Sequence, residues 1–105
     1  MNKYKIPWHI KQFCKQELMD YPKNKKAVEK WTGSTRTLIA VEERVTKIEN
    51  VLNTLSEEDL RDVETIFFER YTQAGAETAK GLSKTAYYNA MNKVIYMVAV
   101  EMGLT

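Results

Sequence analysis

Cysteine occurs once in the 105-residue chain, at Cys14, histidine once, at His9, and proline twice, at Pro7 and Pro22. A lone cysteine cannot close an internal disulfide, so a reducing, cytoplasmic setting is the expectation. His9 and Cys14 have no further partner at metal-ligand spacing, so neither a metal nor a cofactor is expected. The four glycines form no phosphate-cradling loop, and no nucleophile motif accompanies them. One histidine without a partner makes no general base, and the acids show no catalytic pairing. No enzymatic activity and no catalytic residue are therefore expected. No apolar run approaches a bilayer span and no signal peptide is visible, so no membrane partner is expected.

Scarcity of proline and glycine argues for an all-α chain, and the length suits one domain with a modest core. The small net charge of +2 hides a segregation. Up to Arg36 the cations are Lys3, Lys5, Lys11, Lys15, Lys23, Lys25, Lys26, Lys30 and Arg36, against Glu17, Asp20 and Glu29. From Thr37 to Glu69 the balance reverses, with acids such as Glu42, Glu43, Glu49, Glu57, Glu58 and Asp59 far outnumbering Arg44, Lys47 and Arg61. Segregation of this kind speaks to partners where net charge alone does not.

Residues 1–33 read as basic N-terminal helices. Ile6 to Asp20 predicts a first helix with Pro7 in its first turn, Tyr21-Pro22 a break, and Lys23 to Trp31 a short second helix on Ala27, Val28 and Trp31. The lysines at 23, 25 and 26 suit either a phosphate contact or a solvated flank. Thr32-Gly33-Ser34 is a stop-and-cap signal, and a long heptad-patterned helix follows over 34–55. Its apolar positions, Leu38, Val41, Val45, Ile48, Leu52 and Leu55, recur at steps of three and four, with Ile39 and Val51 broadening the stripe. Such a seam packs on the chain's own helices or pairs two copies through Leu38, Val45, Ile48 and Leu52.

Residues 56–105 carry the functional signal. Ser56 caps an amphipathic helix expected to reach Tyr71, and Glu57, Glu58 and Asp59 fill its first turn, where carboxylates suit the positive end of the dipole. An Ala/Gly-rich turn region follows, whose span from Tyr71 to Ser83 holds at most a shortened first helix of the motif, with small residues that allow close crossing and Gly81 available for a left-handed turn. A second long helix opens at Ser83, and its first turn, Lys84-Thr85-Ala86, holds no acid. Carboxylates there would repel phosphate, so their absence suits a helix that approaches a nucleic-acid backbone. Tyr87, Ala90, Met91, Val94, Ile95, Val98 and Met102 form its packing stripe. The other face presents Ser83, Lys84, Thr85, Tyr88, Asn89, Asn92 and Lys93. Asn pairs bidentately with adenine, Thr and Tyr meet thymine methyls or phosphates, and Lys binds phosphate or guanine. The same face also suits plain solvation. The order of elements is that of a helix-turn-helix whose second helix enters the major groove.

The pattern Leu55-Ser56 before an acidic helix, Arg70-Tyr71 at its end, Leu82-Ser83-Lys84-Thr85-Ala86-Tyr87-Tyr88, and the closing Met102-Gly103-Leu104 resembles the phage-encoded ArpU/RinA-like transcriptional regulators. These in turn look like region 4 of bacterial sigma factors, and the likeness covers the C-terminal half. The resemblance implies a sequence-specific DNA-binding activator of phage or prophage late genes, working with host RNA polymerase. It also implies base or phosphate contacts at Lys84, Thr85, Tyr88 and Asn89. The expected fold is a small all-α domain with a long central helix and a C-terminal helix-turn-helix. The alternative functions are a polymerase-binding adaptor without its own DNA specificity and a phage DNA-packaging component.

Overall fold

The computed structural model describes residues 5–105, so Lys3 of the basic N-terminal segment lies outside the described residues. Among them there are five α-helices and no strand. Helix α1 spans Trp8–Glu29, α2 Thr35–Leu52, α3 Glu57–Val63, α4 Gln73–Lys80 and α5 Lys84–Glu101, and α3 runs on into a wide π turn over Glu64–Phe68. None of these helices is long and apolar enough to cross a membrane.

The break expected at Tyr21-Pro22 does not occur, and the two short N-terminal helices are one, with Pro22 inside it. An interior proline costs about 3 kcal/mol through its missing N–H and its clash with the carbonyl four residues earlier. Contacts on both sides of Pro22 offset that cost. Before it, Cys14, Leu18 and Tyr21 are buried in the core. Across it, the Tyr21 hydroxyl and the Lys25 ammonium both donate to Glu49 Oε2 on α2, at 2.8 and 2.9 Å. The Arg70 guanidinium donates to the Met19 carbonyl at 3.4 Å, supplying a donor next to the stretch that the proline disrupts. Pro7 lies one position outside the expected first turn, at the N-cap, where its carbonyl accepts from Lys11 N–H.

Serine caps open α2, α3 and α5. Ser34 Oγ accepts from Thr37 N–H, Ser56 Oγ from Asp59 N–H and Ser83 Oγ from Ala86 N–H. Helix α2 stops at Leu52 rather than Leu55 because Thr54 turns back on Val51, its N–H and its hydroxyl both donating to that carbonyl. Val45, Ile48 and Val51 are the buried positions of α2. Two residues assigned to a pairing seam, Val45 and Ile48, are thus spent on the chain's own core; Ile48 is 1% exposed. Leu38 and Leu52 remain half-buried.

The helix expected to reach Tyr71 ends at Phe68. Glu69 N–H bonds to Glu64 carbonyl at 2.7 Å, a five-residue closure that widens the last turn. The widening places three consecutive residues, Thr65, Ile66 and Phe67, on the inside. Arg70, at a φ of 59°, then reverses the chain.

Helix α5 is the spine of the fold. Its buried stripe is Tyr87, Met91, Val94, Ile95, Val98 and Ala99, packed against α1, α2, α3 and α4. Its end is closed by Gly103 at a φ of 71°, with Leu104 N–H bonded to Ala99 carbonyl at 2.8 Å. A charged tie also joins α1 to α2: the Arg44 guanidinium donates in bidentate fashion to Glu17, at 2.9 and 2.8 Å. By contrast, no residue from 22 to 44 is buried, so the end of α1 and the start of α2 form a helical hairpin at the margin of the core.

Candidate nucleic-acid interface

The Ala/Gly-rich stretch expected as a turn region or a shortened helix is a helix, α4, and its sequence explains both ends. Thr72 Oγ1 accepts from Gly75 N–H at 3.1 Å, and Gly81, at a φ of 68°, ends the helix in the left-handed region. Without a large apolar anchor, α4 is held by its small residue Ala76, which is fully buried. Leu82 N–H bonds to the Ala76 carbonyl at 3.3 Å, so the connection Gly81-Leu82-Ser83 folds directly into the cap of α5. The first turn of α5 is fixed from below: the Tyr87 hydroxyl donates to the Tyr71 carbonyl at 2.8 Å.

On this base, Lys84, Thr85, Tyr88 and Asn89 are exposed together. Thr85, Tyr88, Asn89 and Asn92 share a stripe at helical spacing, and Lys84 stands one turn below Tyr88. The Tyr88 ring, 44% exposed, meets the Tyr87 ring edge-on at 5.2 Å, which orients it while leaving it accessible. Asn92 is half-buried. Ser83 is exposed, but its hydroxyl oxygen is engaged as the cap.

Lys93 stands apart from the other candidates. Its ammonium lies 2.7 Å from Asp59 Oδ2 on α3, so one carboxylate already offsets its charge. The exposed polar face is therefore concentrated in the first two turns of α5. Reading α5 alone missed this, because the partner is 34 residues earlier, in a turn whose acids also suit the dipole of α3.

Sequence reasoning also missed the electrostatic border of this face. A groove of about 550 Å³ between the α3–π segment and the α4–α5 connection is lined by Glu58, Asp62, Glu64 and Glu69, with Arg61 and Lys80 among them. Burial, and then the neighbouring Glu58 and Asp59, push the Asp62 carboxyl above its ordinary value, with Arg61 opposing. Lys80 sits 3.7 Å from Glu69 and over the Tyr71 ring. This surface repels phosphate and bounds the acid-free start of α5 on one side.

Elsewhere the chemistry is sparse. Among the described residues no group of three His, Cys, Asp or Glu side chains could hold a metal ion. Cys14 is fully buried, and that burial, with Glu17 beside it, pushes its thiol up. No family model, no curated protein and no solved structure matches this chain.

Proposed function

We propose that this chain is a sequence-specific DNA-binding transcriptional regulator in which α4 and α5 act as a helix-turn-helix. Helix α5 lies in the major groove with Lys84, Thr85, Tyr88 and Asn89 toward the duplex. The observation that carries the reading is the start of α5: a serine-capped first turn without acids, with four exposed donor side chains, held in place by Tyr87 and Ala76. Asn89 reads a base edge, Tyr88 and Thr85 contact methyls or phosphate, and Lys84 contacts phosphate. Ser83 stays a cap that presents backbone N–H groups, Asn92 reaches only the margin of the contact, and Lys93 serves α3 first. The likeness of the C-terminal half to ArpU/RinA-like regulators supports a phage or prophage late-gene activator acting with host RNA polymerase.

Substitution separates base reading from phosphate binding. Asn89→Ala or Tyr88→Ala relaxes sequence preference, each lost specific contact costing roughly 1–3 kcal/mol. Lys84→Gln weakens binding to every duplex alike and flattens the salt dependence by about one unit. Unchanged affinity and preference in all three variants would remove α5 from the interface.

Exposed Glu42 and Glu43 on α2 favour a second reading, an adaptor that docks its acidic helix on a basic surface of polymerase. That reading expects Glu42→Lys/Glu43→Lys to abolish polymerase capture while duplex affinity is absent or unaffected.

A further inference from the structure

The hairpin formed by the end of α1 and the start of α2 has no role in the reading above. From Pro22 to Thr37 it carries five cations, Lys23, Lys25, Lys26, Lys30 and Arg36, against a single acid, Glu29. Lys25 is engaged with Glu49. Lys23, Lys26 and Lys30 are exposed and, among the described residues, make no ion pair. A step of three puts Lys23 and Lys26 on one face of α1, and Lys30 follows at its C-cap. All three line a groove of about 470 Å³ against the turn at Trp31-Thr32-Gly33. The groove has a fixed wall, because the Trp31 indole N–H donates to the Ser34 carbonyl at 3.1 Å.

Cations near a helix C-terminus are ordinarily explained by the dipole, which acts within the last turn. That accounts for Lys26 but not for Lys23, which is nearly two turns from the end of α1. A row of unneutralised charges along a shallow groove matches instead a partner with regularly spaced anions. An acidic strip separates the hairpin from the α4–α5 connection and leaves phosphate contacts to either side of it. Lys26 borders a groove with Glu64 and Glu69, and the same two glutamates border the groove at Lys80, Gly81 and Leu82.

We propose that the Lys23–Lys26–Lys30 edge is a second, sequence-independent contact, made on the phosphate backbone of the duplex that α5 reads. This rests on the reading of α5 as a DNA-binding helix and deepens it. The edge adds affinity and salt dependence, and α5 supplies the preference.

The test compares the full chain with three variants on a preferred and an unrelated duplex, titrated from roughly 50 to 200 mM salt. K23Q/K26Q/K30Q is expected to lower the salt slope by about two to three units on both duplexes, with preference unchanged. K23R/K26R/K30R keeps the charge and is expected to keep the slope, which separates loss of charge from loss of fold. N89A is expected to change preference and leave the slope. An unchanged slope in the glutamine variant overturns the second contact and leaves the α5 reading standing. A lowered slope with full preference retained in N89A upholds the second contact and overturns Asn89 as a reader. Absence of any duplex affinity in the unsubstituted chain overturns both. Loss of binding to anionic phospholipid vesicles in the glutamine variant, with an unchanged DNA slope, overturns the proposal in favour of a membrane surface.

Discussion

Lys93 on α5 and Asp59 on α3 meet at 2.7 Å, which ties the middle of the candidate recognition helix to the helix before it. Both groups are part-exposed, so the pair contributes little to stability, about 1 kcal/mol or less. Its larger effect is on the field outside. On the proposed reading of α5 as a DNA-binding helix, Asp59→Asn removes a carboxylate beside that helix and is expected to strengthen binding to all sequences. A titration across salt checks it, and the slope should steepen by up to about one unit. Weaker binding in this variant would mean that Asp59 positions α5 rather than masking it.

Tyr87 is expected to matter for stability before it matters for binding. Its hydroxyl donates to the Tyr71 carbonyl at 2.8 Å, and the residue is buried. Tyr87→Phe keeps the ring and loses the bond, at a cost of about 1 kcal/mol. That is a fall of several degrees in thermal midpoint for a domain of this size. Circular dichroism melting measures it directly.

The Glu49 cluster predicts how stability depends on pH. Hydrogen bonds from Lys25 first, then Tyr21, hold the Glu49 carboxyl below its ordinary value of 4.5. The Lys25 ammonium is pushed up to about 12, mainly by its bond to Glu49. A lowered carboxyl value means that the folded state gains most above pH 4.5 and loses that gain as Glu49 protonates in acid. A raised ammonium value means that the gain persists at neutrality and disappears as pH rises through about 12. Glu49→Gln is therefore expected to be less stable than the parent at pH 7, with the two converging in acid. A constant gap down to pH 3 would contradict the assignment.

Pro22 offers a stabilising substitution. Its ring leaves α1 without one interior hydrogen bond, and the surrounding contacts hold the helix together regardless. Pro22→Ala restores the donor and is expected to raise stability by about 1–3 kcal/mol in chemical denaturation. A loss instead would show that the path Pro22 gives α1, and not merely its helicity, is needed for core packing.

These cases also show what can be read from the chain alone. The caps at Ser34, Ser56 and Ser83 were legible because capping is local chemistry, settled within three residues. The α5 stripe was legible because its apolar spacing is strong, and the exposure of Lys84, Thr85, Tyr88 and Asn89 follows from the same period. Pro22 was not, since the contacts that override it come from Glu49, more than twenty residues away. Helix α4 was legible only as a turn region or a shortened helix, because its composition lacks apolar anchors and its stability comes from Thr72, the buried Ala76 and Gly81. The engagement of Lys93 was hidden for the same reason as Glu49: its partner is distant in sequence.

Selection of bound sites from a pool of random duplex DNA by the full chain tests directly whether α5 reads sequence. An enriched motif is expected, which Asn89→Ala alters and Lys23→Gln/Lys26→Gln/Lys30→Gln recovers more weakly. Recovery of unenriched DNA by the unsubstituted chain, or one motif shared equally by all three proteins, would contradict that reading.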